Sequence, residues 1–182
     1  MILCFLAEDF EEIEALTPVD CLRRCEKEVI TVGVGGSIIR GSHGIPVFAD
    51  IEENELKLSS AIEMIILPGG MPGTLNLEKS SFVQSAIDYC MENGIPIAAI
   101  CAAPSILGHK GILENREAVC YPGFEEELLG ARVLLDRPVA VDGNIITACG
   151  MGAALDFSHA IITRLLGKER ADRLLKTLCI RR

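Results

Sequence analysis

In the stretch IAAICAAPSILGHKGIL (97–113) a single thiol, Cys101, stands between an apolar run and a segment with helical spacing. Small residues, Ala99, Ala102 and Ala103, crowd the junction, and Pro104 suits the first turn of a helix. A sharp strand-turn-helix needs small neighbours of this kind, and it lifts its central residue into the open as a nucleophile elbow does. At a helix N-terminus the free N–H groups favour an anion, so a thiolate here is expected to have a lowered pKa and raised reactivity. The alternative is that Cys101 fills a buried junction as a small hydrophobe. The local sequence leaves both readings open.

Two other stretches carry chemistry of a complementary kind. LPGG (67–70) follows an apolar run, and its glycines allow close backbone approach, so their N–H groups could line an oxyanion hole. Taken alone, the loop reads as a simple tight turn, and it lacks the Gly-Lys-Ser/Thr of a nucleotide-binding loop. EDFEEIEALTPVD (8–20) crowds Glu8, Asp9, Glu11, Glu12 and Glu14 at a helix start, where acids complement the dipole. A solvated helix N-terminus accounts for nearly all of them. Glu14, among Ile13, Ala15 and Leu16, is the acid most embedded in apolar neighbours, and turned inward it could hydrogen-bond a thiolate. None of the three histidines, His43, His109 and His159, adjoins Cys101 or a strand end, so a Cys-His pair lacks an obvious base.

The elements that must position these groups alternate along the chain. Strands are expected at 1–7, 28–34, 62–70, 95–100 and 117–121, with hairpins over 37–50 and over 139–150 around Asp-Gly-Asn. Helices are expected at 10–25, 80–94 with Ser80 as N-cap, after Cys101, and at roughly 152–166 and 168–180. Apolar strands alternating with helices give an α/β fold, a mostly parallel sheet with helices on both faces, in one domain over 1–182. In such sheets the working site lies beyond the carboxyl ends of the strands, where the loops AEDFEE, LPGGMPGT and CAAP fall.

Composition narrows the classes. A net charge of −9 argues against nucleic acid as a partner. No apolar run approaches the ~20 residues of a membrane span. The apolar start MILCFLA lacks a basic n-region and reads as the first strand of a cytoplasmic protein. The eight cysteines contain no Cys-x-x-Cys pair and no spacing for a metal; Cys21 and Cys25 share a helix face but make half a site at most. A reducing compartment follows, with no metal or cofactor implied.

Four segments together, EEIEALTPVD (11–20), ILPGGMPGTLNL (66–77), AAICAAPSIL (98–107) and GMGAALDFSHAI (150–161), resemble the ThiJ/PfpI superfamily and its branch of parkinsonism-associated deglycases, in order and over nearly the whole chain. The resemblance implies a flavodoxin-like sandwich and a homodimer. It implies that Cys101 is the reactive nucleophile, Glu14 the acid hydrogen-bonded to it, and Gly69, Gly70 and Ala102 the anion-binding backbone. The substrate class it implies is a small reactive carbonyl, converted by a glutathione-independent glyoxalase or deglycase reaction; a redox-sensing or chaperone-like protein is the alternative. A hydrolase or amidotransferase-like use of the elbow is a third, but Ala102 stands where the protease-like branch carries a histidine. This chain also departs from the pattern. Tyr121 replaces a histidine near the pocket, and His43 and Cys149 replace arginines, so Tyr121 and His43 are the candidates for the polar contacts those groups make.

Overall fold

A computed structural model describes residues 1–180 of the chain. Strand β1 (Ile2–Ala7) is buried along its whole length and leads into helix α1 (Glu12–Arg24). Pro18 sits inside α1. Lacking an N–H, it leaves the carbonyl one turn back, that of Glu14, without its helical donor. Strand β2 (Val29–Val34) follows, then the expected hairpin of β3 (Ile38–Arg40) and β4 (Pro46–Phe48), and the two-residue β5 (Ile51–Glu52). Strand β6 (Met64–Leu67) precedes α2 (Gly73–Lys79) and α3 (Ser81–Glu92). The Ser80 hydroxyl caps α3 by accepting from Val83 N–H at 3.2 Å. Strand β7 (Ile97–Ile100) leads through Cys101 to the short α4 (Pro104–His109). The chain then forms β8 (Glu117–Ala118), β9 (Arg132–Val133), the hairpin β10 (Val139–Asp142) with β11 (Ile145–Ala148), and helices α5 (Ala154–Leu166) and α6 (Lys168–Thr177).

The main sheet has seven strands in the order β10-β11-β7-β6-β1-β2-β5. Every pair is parallel except β10 with β11. Alternate residues of β1 feed two cores. Ile2, Cys4 and Leu6 pack under α1, α5 and α6; Leu3, Phe5 and Ala7 pack under α2, α3 and α4. Both faces of the sheet are therefore covered, which is why its strands read as continuous apolar runs.

Two expectations change. The segment expected as a strand over 117–121 is a strand only at Glu117–Ala118, and it pairs with β9 rather than joining the main sheet. Its remaining N–H groups go elsewhere: Val119 donates to Thr147 Oγ1 at 3.0 Å and Tyr121 to the Cys101 carbonyl at 2.9 Å. The loop expected at LPGGMPGT runs into α2, a helix not among those expected. Its N-terminus lies against the turn after β1, where a side chain at Gly73 would collide with Asp9 backbone.

Candidate active site

Cys101 adopts φ 65°, a left-handed backbone that a residue with a Cβ enters at a cost of about 1–3 kcal/mol. Hydrogen bonds on both sides hold it there. Its N–H donates to the Ala148 carbonyl at 2.8 Å, and its own carbonyl accepts from Tyr121 N–H at 2.9 Å. The elbow is thus fixed by the end of β11 and by the segment that leaves β8. The thiol is half-buried, and the N–H groups of Gly70 and Ala102 donate to its sulfur. Helix α4 has only six residues, so these two donors rather than a helix dipole face the sulfur.

Glu14 reaches the same sulfur from α1. It is 1 % exposed and hydrogen-bonds the Cys101 side chain. Gly69 N–H donates to its Oε2 at 3.0 Å, and Met151 N–H donates to it as well. Burial, together with the Glu11 charge and against the Cys101 hydrogen bond, pushes Glu14 up to about 7. Gly69 therefore supplies its donor to the carboxyl, not to the sulfur, and the anion-facing backbone reduces to Gly70 and Ala102. A Cβ on Gly69 would lie 2.5 Å from both Cys101 Cβ and Glu14 Oε2, which is why only glycine fits between them. Gly70, at φ 95°, is locked onto the loop after β1, since Gly69 accepts from Glu11 N–H at 2.9 Å.

The expectation of a lowered thiol pKa is reversed while Glu14 is ionised. Burial and the adjacent carboxylate push Cys101 up to about 12, against the pull of the Ala102 and Gly70 donors. The two groups form a pair around one proton. With that proton on Glu14 the repulsion vanishes, and a carboxyl O–H can donate to a thiolate.

The remaining candidates have partners of their own. The Tyr121 ring is half exposed and covers Gly150, where a Cβ would lie 3.2 Å from its Cδ2. His43 is held by Glu12, its N–H and Nδ1 both 2.8 Å from that carboxylate. Glu12 is accordingly 3 % exposed and does not belong to the solvated acids of the helix start. Burial pushes Glu12 up, but hydrogen bonds from the His43 side chain and from the backbone of Glu12, His43 and Ile45 together outweigh it and hold the carboxyl below its ordinary range; the Glu12 carboxylate in turn raises His43. His109 bonds Glu78 and Glu127, and His159 bonds Asp172, so both lie in other networks. Cys21 and Cys25 are buried free thiols.

Two features escaped the sequence. Glu11, Glu12 and His43 bring one ligand atom each within 4.8 Å of one another, across about thirty residues of chain. They line a cavity of about 260 Å³ with Ile13, Ile45 and Met151. The Met151 N–H on Glu14 was also unannounced, although Gly150, two residues past the end of β11, marks the backbone turn that delivers it.

The DJ-1/PfpI family model matches residues 1–164. Protein DJ-1 homolog B of Arabidopsis thaliana is 33% identical over 182 residues, 99% of this chain; the chain spans 41% of that relative's length. The glutathione-independent glyoxalase DJR-1.2 of Caenorhabditis elegans is 31% identical over 173 residues, 95% of this chain and 92% of the relative. A protein of Pyrococcus abyssi named as a deglycase is 32% identical over 149 residues, 81% of this chain and 88% of the relative. Among solved structures, Drosophila melanogaster DJ-1beta superimposes with a TM-score of 0.93 at 31% identity, covering 100% of this chain and 98% of that one. A DJ-1 superfamily protein of Salmonella typhimurium, solved as a C103A mutant, also reaches 0.93 at 29% identity, with the same coverage.

Proposed function

Because the chain belongs to the DJ-1/PfpI family, we propose that it is a cofactor-independent cysteine enzyme acting on small reactive carbonyls, of the glyoxalase or deglycase type. The observation that carries the reading is one arrangement: a thiol on a left-handed elbow, two backbone N–H donors on its sulfur, and a buried carboxyl hydrogen-bonded to it. Relatives named as a glyoxalase and a deglycase support the substrate class.

In this scheme the Cys101 thiolate attacks the aldehyde carbon of a 2-oxoaldehyde, forming a C–S bond and an alkoxide. Gly70 and Ala102 N–H groups stabilise the oxyanion. Glu14, which holds the pair's proton, gives it to the alkoxide. As a carboxylate it then takes the proton from the former aldehyde carbon and returns it to the neighbouring carbon, while the hydroxyl proton passes to the neighbouring oxygen, which leaves a thioester of a 2-hydroxy acid. Water hydrolyses the thioester and frees the thiolate. Tyr121 and His43 are the side chains offered for substrate contacts. The chain would work as a single domain and as a homodimer, for which the exposed apolar Ile13, Ile45 and Met151, which line one cavity, offer a face. A cytoplasmic location belongs to the same reading. No helix among the described residues is long and apolar enough to cross a membrane.

The test is methylglyoxal loss and lactate formation without glutathione. Wild type is expected to turn over, Cys101→Ser to fall to background, and Glu14→Gln to lose about 10²–10⁴-fold in kcat. Normal turnover in Cys101→Ser overturns the scheme. No turnover in the wild type moves the assignment to the second reading, a redox-responsive stress protein in which the same two N–H donors hold an oxidised Cys101.

A further inference from the structure

Of the free cysteines, Cys4, Cys21, Cys25, Cys90 and Cys120 are buried, while Cys101, Cys149 and Cys179 reach solvent. Cys179 follows the end of α6, but Cys101 and Cys149 lie side by side. They follow β7 and β11, parallel neighbours whose last register pair is Ile100 with Ala148. One residue further on, the register sets Cys101 beside Cys149, and the ladder still holds there through the Cys101 N–H on the Ala148 carbonyl. Neighbouring strands run about 5 Å apart, inside the roughly 4.4–6.8 Å between Cα atoms that a disulfide requires.

Other observations point the same way. Both side chains pack against the same core cluster. The Glu14 charge bears on both thiols. On its other flank Cys149 lines a cavity of about 340 Å³ with Cys120, Pro122, Leu134 and Arg137, which gives its side chain room to change rotamer.

We propose that Cys149 is the resolving thiol for an oxidised Cys101. The co-reactants are a hydroperoxide and, for return, an external dithiol. The Cys101 thiolate attacks the terminal oxygen of the hydroperoxide; an S–O bond forms, the O–O bond breaks, and the leaving alkoxide takes up a proton. Sulfur has lost two electrons and is now a sulfenic acid. The Cys149 thiolate attacks that sulfur, an S–S bond forms, and hydroxide leaves to become water. Thiol–disulfide exchange with the dithiol restores both cysteines. The disulfide keeps Cys101 from the irreversible sulfinate. This inference shares with the proposed function the premise that Cys101 is reactive, and it does not require carbonyl turnover.

Wild type and Cys149→Ser are each treated with a small excess of hydrogen peroxide, then read by intact mass and by peptide mapping without reduction. The wild type is expected to lose two hydrogens, to recover them with dithiothreitol, and to yield a cross-link between the Cys101 and Cys149 peptides. Cys149→Ser is expected to gain two oxygens on Cys101 instead. A wild type that gains two oxygens with no cross-link overturns the proposal, as does a cross-link joining Cys120 to Cys149. An unmodified Cys101 in both proteins overturns it together with the nucleophile reading. A Cys101–Cys149 cross-link in a protein without carbonyl turnover upholds it and removes the enzyme reading alone.

Discussion

Glu14 holds its proton to about 7 because it is buried, so the folded chain binds a proton that the unfolded chain has already released. Between the ordinary carboxyl range near 4.5 and about 7, the folded state carries more protons than the unfolded one. Stability therefore falls as pH rises through that window, by at most about 3 kcal/mol for a shift of this size. Denaturation midpoints measured at about pH 5 and about pH 8 are expected to show this drop in wild type and to lose it in Glu14→Gln. Equal drops in both proteins would show that the carboxyl is not held protonated by its site. The same substitution that flattens the stability profile is expected to lower turnover, a separation that a merely structural role for Glu14 would not give. Gly69 is the residue that sets the distance between the two partners. Gly69→Ala is expected to cost about 1–3 kcal/mol through overpacking. Because it forces apart the sulfur and the carboxyl, it should also lower kcat about 10²-fold; unchanged kinetics in a folded variant would refute the spacing argument.

At the scale of elements, packing decides where local preference does not. Gly108 lies inside α4, where alanine is ordinarily the better helix former by roughly 1 kcal/mol. A Cβ there would collide with the Glu127 carbonyl and the Leu128 backbone. Gly108→Ala is therefore expected to lower the melting temperature rather than raise it, as thermal unfolding would report. The legible elements were those whose own residues dictate them. β1, β6 and β7 are unbroken apolar runs, and α3 carries its Ser80 cap and ends before Gly94. β5 and β9 are two residues each, Ile51–Glu52 and Arg132–Val133, too short for any periodicity, and they exist because β2 and β8 offer edges. α2 was hidden behind Pro72 and Gly73, which read as punctuation but start its first turn. At the site, Cys101, Gly69, Gly70 and Glu14 stood out as residue types, but local sequence left Cys101 open between nucleophile and filler, and only the family resemblance joined the four. What Gly69 bonds was not readable, because an N–H direction depends on backbone angles and not on identity. Glu12 was misjudged for a similar reason: its partner His43 lies 31 residues away.

For the molecule as a whole, the thiols of the two cores oppose alkaline conditions together. Cys4 and Cys90 are both fully buried, and burial pushes each up to about 12 from an ordinary value of 9.0. The folded state keeps these protons above pH 9 while the unfolded state gives them up, so stability is intact below about 9 and declines as pH rises beyond it. Urea midpoints across that range are expected to fall more steeply in wild type than in Cys90→Ala, and parallel slopes would contradict the assignment. The candidate site is itself distributed over the sheet: Glu14 comes from the helix after β1, Gly69 and Gly70 from the end of β6, Cys101 from β7, and Met151 from beyond β11. No two of these segments adjoin in sequence, and none has a binding group's worth of neighbours until the four strand ends lie abreast. Cys101 in a nascent or partly assembled chain is thus an ordinary thiol, and it acquires its carboxyl and amide partners only when the last of those strands docks. The rate at which a small alkylating reagent labels it, compared with Cys179 on the same chain, becomes a clock for completion of the sheet's carboxyl edge during folding.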